Sequence, residues 1–110
     1  MRLEFLNWKV EGDDTAKVFR VIDEEREGYM IGCYSDEVNR IFIWAVYSKR
    51  GGFLKNAMDM VCKRFNCTNV EFTNIITDML LRRLRGFRPV IRRFKGMEII
   101  CLVGRWEVIS

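Results

Sequence analysis

The chain has 110 residues, 49% of them hydrophobic, and a formal net charge of +4, which predicts a single domain, residues 1–110, with its own core. No apolar run approaches the roughly 20 residues of a membrane span, and charges interrupt the apolar N-terminal stretch, so we expect a soluble cytoplasmic protein without a signal peptide. The absence of histidine excludes Ser-His and Cys-His nucleophiles, and four cysteines without a Cys-x-x-Cys pair predict buried free thiols and no metal site.

The first third of the chain is predicted to contain two strands around one helix. Gly12-Asp13-Asp14 ends the first strand and offers an aspartate N-cap. The apolar positions that follow, Val18, Phe19 and Ile22, share one face of a helix. A short loop after the second strand predicts an antiparallel hairpin with the next strand. The predicted elements are a strand (Leu3–Val10), a helix (Val18–Arg26) and a strand (Tyr29–Tyr34).

The stretch from Ile41 to Thr73 has the clearest pattern. Ile41–Tyr47 is an unbroken apolar run rich in β-branched and aromatic residues, which suits a strand covered on both faces. From Phe53 to Phe65 the apolar positions recur with a helical period. Val70 and Phe72 then alternate with polar neighbours, as in a strand. The unit is predicted to be βαβ, with parallel strands and a right-handed crossover.

The turn inside this unit, Lys49-Arg50-Gly51-Gly52, has two interpretations. The first N–H groups of a helix lack internal partners, and the helix dipole is positive there. Glycines let the backbone approach a ligand closely, so a strand, a Gly-Gly turn and a helix start can hold a phosphate group. In the other interpretation, Gly51 and Gly52 only make a tight turn.

The last third is predicted to contain a helix and two strands. A helical stripe begins after Asn74 and ends at Gly86, which is a common C-terminal residue of helices. Pro89 suggests that the next strand, Phe87–Phe94, lies at a sheet edge or has a bulge near its start. The final strand is Met97–Val108. The order β-α-β-β-α-β-α-β-β predicts an α/β protein with a mixed central sheet and helices on both faces.

Basic residues cluster in one part of this region. Ten of the fifteen acidic residues lie between Glu4 and Glu37, whereas Arg82–Lys95 holds seven basic residues and no acidic one. Such a cluster is either a solvated surface or a face for an anion, which could be nucleic acid, a nucleotide-like cofactor or an acidic partner.

This element order, the run WAVYSKRGG leading into a helix, Asn74 after the next strand, and a helix closing at Gly86-Phe87 resemble the GNAT family of acetyl-CoA-dependent N-acetyltransferases. Members typically carry an Arg-x-x-Gly-x-Gly/Ala turn, and Arg50-Gly51 matches its opening. At the next two positions, where the family has small residues, this chain has Phe53 and Lys55. The resemblance implies a GNAT-like fold. It also implies transfer of an acetyl group to an amine by direct attack on the thioester, with acetyl-CoA as co-substrate and no metal.

The resemblance also implies where the cofactor binds. Two parallel strands would part beside the glycine turn and leave a wedge for it. The backbone of the turn and the helix start would hold the pyrophosphate, the end of the central strand would pair with the pantetheine arm, and Asn74 would line the wedge. The implied cofactor-binding residues are Val46, Tyr47, Arg50, Gly51, Gly52, Phe53, Leu54 and Asn74.

The catalytic residues are less clearly marked. Many family members take a general acid from a tyrosine in the helix after Asn74. This helix has none, so Tyr47 or Tyr34 would have to substitute. Glu71, or Asp36 and Glu37 in the hairpin, could act as a base through water, although a solvated surface charge is the alternative for each. The acceptor would be a small-molecule or protein amine. A homodimer through the apolar last strand remains open.

A second hypothesis is an inactive fold of the same kind that works as a binding protein. Its partner would be an acidic protein or nucleic acid at the Arg82–Lys95 face, with nucleic acid the less favoured of the two because no known nucleic-acid-binding module is present.

Overall fold

β-branched and aromatic residues, which fit a pleated surface well, make up almost half of the strand residues of this protein. The computed structural model describes residues 1–73 and 84–107. Its elements in chain order are β1 (Arg2–Leu6), β2 (Lys17–Asp23), β3 (Gly28–Ser35), β4 (Arg40–Ser48), α1 (Phe53–Phe65), β5 (Asn69–Thr73), β6 (Arg88–Phe94) and β7 (Met97–Arg105).

All seven strands belong to one sheet, in the order β1-β2-β3-β4-β5-β7-β6. Neighbouring strands are antiparallel except β4 and β5, which are parallel. Within residues 1–73 and 84–107, α1 is the one helix, and the described chain is mostly sheet. The predicted GNAT-like α/β fold, with several helices on both faces of the sheet, is therefore wrong.

The helix predicted over Val18–Arg26 is instead the strand β2. This strand pairs with β1 on one side and β3 on the other, and Val18 and Phe19, which point to opposite faces, are both buried. A strand buried on both faces loses its apolar–polar alternation, so its apolar positions can imitate a helical stripe. The β-branched residues Val18, Val21 and Ile22 fit the strand better than a helix.

The predicted βαβ unit is confirmed. Helix α1 begins at Phe53 and ends at Phe65, where Asn66 adopts a left-handed conformation with φ 48°. Strands β4 and β5 then lie parallel, with Ile41 opposite Val70 and Ile43 opposite Phe72. The core lies between α1 and the sheet face that it covers. Its largest fully buried side chains include Phe19, Phe53, Phe72, Met30, Ile41, Ile43 and Met58.

The predicted hairpin at the C-terminal end is also confirmed. Strands β6 and β7 are joined by Lys95-Gly96, both with positive φ (49° and 79°), as a two-residue hairpin turn of the favoured hand requires. Strand β6 lies at the sheet edge, which agrees with the position of Pro89. The predicted final strand, Met97–Val108, ends at Arg105 instead.

Parts of two predictions fall outside the described residues. The helix predicted from Asn74 to Gly86 lies there except for its last residues, from Leu84 onward, and so does the end of the last predicted strand, Val108. All four cysteines are buried, and Cys33, Cys62 and Cys67 are free thiols, as predicted. In the described ranges no helix is long and apolar enough to cross a membrane.

Candidate ligand-binding site

The carboxyl-terminal half of β4 has a free edge in the described structure. Within residues 1–73 and 84–107, β4 pairs with β5 at three positions, from Ile41 to Ile43, and the described part of β5 ends at Thr73. From Ala45 to Ser48 it remains paired with β3. On its other side no described strand continues the ladder, so backbone N–H and C=O groups there are available to a partner.

A β-bulge at Trp44 marks the start of this free edge. Ile31 lies opposite Ala45, whereas Gly32 lies opposite Ile43, so Trp44 is one extra residue in β4. A bulge bends its strand and increases the local twist. Gly32 permits the close approach of the two backbones, because a Cβ there would lie 2.1 Å from the Phe42 carbonyl oxygen. The bulge therefore bends β4 just after its described pairing with β5 ends at Ile43.

The chain turns tightly between β4 and α1. The hydroxyl of Ser48 donates to the carbonyl of Arg50, and the N–H of Arg50 donates to the carbonyl of Arg26 at 3.3 Å. The amide of Arg50, expected to bind pyrophosphate, is therefore already paired. Gly52 is the N-cap residue and has a φ of 90°, a conformation that glycine adopts without strain.

The start of α1 is uncapped and electropositive. No side chain caps the helix, and its first turn holds no acidic residue. The first intrahelical bond runs from the N–H of Asn56 to the carbonyl of Gly52, which leaves the amides of Phe53, Leu54 and Lys55 without a helical partner. The nearby cations are partly balanced: Lys49 lies 3.6 Å from Glu27, Lys55 3.4 Å from Asp59, and Arg26 3.0 Å from Asp23.

The side chain of Phe53 points away from these amides. It is fully buried and packs on Gly28, where a Cβ would lie 2.3 Å from its ring. The ring therefore fills the core under α1 and leaves the turn clear. Around Gly51 the space is open, because a Cβ added there meets nothing within 4 Å.

The two candidate residues on β4 lie on opposite faces of the sheet. Val46 is half-buried and packs against the core under α1. Tyr47 lies on the other face, opposite Tyr29 on β3, and is 64% exposed. Its phenol is thus accessible near the free edge of β4.

Glu71, the candidate base, lies in a different environment from the one predicted. It is 5% exposed, and its Oε1 accepts hydrogen bonds from Arg40 Nη1 at 3.1 Å and from Arg92 Nη2 at 2.9 Å. The bond to Glu71 raises the pKa of Arg92. Glu71 is therefore a buried ion-pair partner and not a solvated surface charge.

Glu71 and Tyr47 do not come together. Glu71 lies opposite Phe42, and Tyr47 follows Phe42 by five residues, about 15 Å along an extended strand. Asn74, the remaining predicted cofactor ligand, lies outside the described residues. The structure thus brings together the turn, the helix start and the end of β4, but not the two catalytic candidates.

Sequence reasoning missed a basic cleft at the opposite end of the sheet, where β4 and β5 begin. It has a volume of about 530 Å³ and is lined by Arg40, Asn69, Arg85, Gly86, Arg88, Val103, Gly104, Arg105 and Glu107. Arg85 and Arg88 belong to the predicted basic segment, whose first members, Arg82 and Arg83, lie outside the described residues. The sequence holds no local signal for Arg40 and Arg105, because the pairing of non-consecutive strands brings them in.

No model of a known protein family matches the chain, and no curated protein is significantly similar to it.

Proposed function

We propose that the chain binds a coenzyme A thioester at the end of β4 and transfers its acyl group to an amine. One observation carries this proposal: the uncapped start of α1 directly follows the half of β4 that lacks a described partner strand on the β5 side. A ligand with a diphosphate at one end and an amide-containing arm could use both features. The resemblance of the run WAVYSKRGG to the family pattern adds support.

The start of α1 fits the diphosphate. Amides at the first turn of a helix, together with the positive end of its dipole, stabilise phosphate oxygens. The available donors are Phe53, Leu54 and Lys55, with the open backbone of Gly51 beside them. Arg26 can add a charge, since its Nε lies 3.5 Å from the Cβ position of Gly52.

The free edge of β4 fits the pantetheine arm. This arm is extended and contains two amide groups, so it could pair with backbone groups between Ala45 and Ser48 as an added strand would. An N–H of this edge could then polarise the thioester carbonyl. Such a contact stabilises the negative charge that develops on the carbonyl oxygen.

Coenzyme A would supply the acyl group as a thioester. During transfer a C–N bond to the amine forms and the C–S bond breaks; the amine loses a proton and the sulfur gains one. The phenol of Tyr47, exposed near the β4 edge, is the side chain that we assign to protonate the sulfur. Solvent would accept the amine proton, because the Glu71 carboxylate already binds two arginines.

Glu71 is bound to two arginines and is therefore not free to act as a base. This favours a second candidate function, a protein that binds the ligand without catalysing a reaction. The two functions differ in one readout. Both predict a complex with acetyl-CoA at the β4–α1 turn, but only the transferase releases free thiol when an amine is added.

Thermal unfolding with and without acetyl-CoA tests the proposed site. A ligand at one hundred times its Kd stabilises the folded state by about 2.7 kcal/mol, which raises Tm by several degrees in a domain of this size. ATP serves as the control for general anion binding. No shift at millimolar acetyl-CoA, or an equal shift with ATP, would refute the site.

Free thiol release with a panel of amines then tests the chemistry. We expect Tyr47→Phe to keep the thermal shift and to lower the rate roughly 100-fold, as loss of a general acid does. A thermal shift with acetyl-CoA but no release of free thiol with any amine would support the second candidate function, a binding protein.

A further inference from the structure

Four arginines from three strands and one turn line the cleft at the end of the sheet opposite the β4–α1 turn. We call Arg40, Arg85, Arg88 and Arg105 the arginine cleft. One acidic side chain, Glu107, shares the lining of this volume of about 530 Å³. The excess of positive charge makes it a site for an anion.

Strand register explains why these arginines meet. Arg105 on β7 lies opposite Asn69 on β5, and Arg88 on β6 lies opposite Val103 on β7. Since neighbouring strands are about 4.8 Å apart, the guanidinium groups of adjacent strands can contact successive groups of one ligand.

Most of this charge is not neutralised by the described chain. Arg40 pairs with the buried Glu71, but Arg105 donates to the neutral hydroxyl of Thr68, at 3.4 Å. Arg85, Arg88 and Arg105 form no ion pair with any described residue. Their fork-shaped guanidinium groups suit phosphate oxygens better than lysines would.

Basic side chains continue from the cleft along the sheet edge. Strand β6 runs from Arg88 to Phe94, about 20 Å at the rise of an extended strand. Arg92 and Arg93 lie on this strand and Lys95 follows it, and all three are exposed. Arg92 donates to the buried Glu71 at 2.9 Å, so its charge is partly balanced. Along β6 and β7, Glu98 is the one acidic residue, and it pairs with Arg93 at 3.5 Å on the surface.

Apolar side chains are exposed on the same hairpin. Phe94 is 60% exposed, and Ile91 is 65% exposed. The Nζ of Lys95 lies 5.6 Å from the centre of the Phe94 ring. An exposed aromatic ring beside a cation can stack on a base while the cation contacts the phosphate next to it.

We propose that the arginine cleft and the exposed edge of β6 bind the phosphate backbone of a single-stranded nucleic acid. A track about 20 Å long exceeds one small phosphate ligand and matches an extended polyanion. Arginine with interspersed aromatic and apolar side chains is the composition of single-strand binding surfaces. The site is separate from the β4–α1 turn and does not depend on the acyltransferase proposal.

Fluorescence anisotropy of a labelled 20-nucleotide oligo-dT across a salt series tests the proposal. Binding through four or five phosphates gives a slope of log K against log salt of about −3, since each contact contributes about −0.7. The double variant Arg88→Ala/Arg105→Ala removes two of these contacts. We expect it to make the slope of log K against log salt shallower by about 1.4 and to weaken binding at least tenfold at low salt. Absence of binding at 50 mM salt would overturn the proposal.

Control variants separate this site from general attraction to a basic protein. Lys63→Ala removes an exposed cation on α1 and should leave the slope unchanged; an equal loss in this variant would overturn the assignment. Gly51→Glu, at the other proposed site, should also bind the oligonucleotide normally. Poly-glutamate of the same length should compete poorly, and competition equal to that of oligo-dT would assign the surface to acidic proteins instead.

Discussion

Arg92 on β6 donates from Nη2 to the Oε1 of Glu71 on β5 at 2.9 Å, across the intervening strand β7. Arg40 on β4 donates to the same oxygen at 3.1 Å. One buried carboxylate thus connects three strands of the sheet, β4, β5 and β6. This arrangement gives Glu71 a structural role that can be measured.

Glu71→Gln should destabilise the protein by about 1–3 kcal/mol. The substitution removes a charge-assisted pair of hydrogen bonds and leaves two arginines facing a neutral amide, but those arginines are partly exposed, which limits the loss. Urea unfolding measures the change. Glu98→Gln, in an exposed pair with Arg93, is the control and should cost less than about 1 kcal/mol. Equal costs for both would contradict the structural role of Glu71.

Gly28→Ala should destabilise the protein by about 1–3 kcal/mol, because the new methyl group would overlap the buried ring of Phe53. Thermal or urea unfolding is the measurement. Gly51→Ala adds the same methyl group where nothing lies within 4 Å and should be neutral or slightly stabilising. If Gly28→Ala were as stable as Gly51→Ala, Phe53 would not pack as described.

Gly51→Glu should abolish any thermal shift caused by acetyl-CoA, since it places a carboxylate beside the helix start where the diphosphate would bind. The fold should be retained, because the position is exposed and open. The matched variant Gly51→Ala should keep the shift. A shift of normal size in Gly51→Glu would place the ligand elsewhere.

The stability of the protein should fall between pH 9 and pH 12. Burial raises the pKa of Cys33 and of Cys62 from 9.0 to about 12. Below pH 9 the thiols are neutral in both states; above it they ionise only in the unfolded chain, which favours unfolding by up to about 1.4 kcal/mol per pH unit for each thiol.

Urea unfolding at pH 8, 9.5 and 10.5 measures this slope. Lysines and tyrosines also titrate in this range, so the slope of the native chain is compared with that of Cys33→Ala/Cys62→Ala. The double variant should show the shallower slope. Identical slopes would mean that these two thiols ionise in the folded protein as they do in the unfolded one.

Local pattern predicts part of this fold well. The helical period from Phe53 to Phe65 gave the bounds of α1, since one face of that helix is buried and the other is not. Local pattern gave the wrong element for β2, because burial on both faces removed the alternation of apolar and polar residues that identifies a strand.

The candidate site was predictable only where it is local in sequence. The glycine turn and the helix start are contiguous, so Gly51, Gly52 and Phe53 could be chosen from sequence alone. Glu71 could not be interpreted correctly, because its partners Arg40 and Arg92 lie 31 and 21 residues away. The arginine cleft depends on β5 pairing with β7 instead of β6, which no local pattern encodes.

The extra residue in β4 has one more consequence. Ile43 and Val46 both face α1. They are three residues apart, so in a regular strand they would lie on opposite faces of the sheet, and the extra residue Trp44 is what brings them to the same face. Replacing Trp44 with another residue would preserve that offset. Deleting Trp44 would give β4 an unbroken ladder with β3, and every other side chain of β4 would keep its present face. The deletion would therefore remove the bend in β4 without changing which side chains face the core.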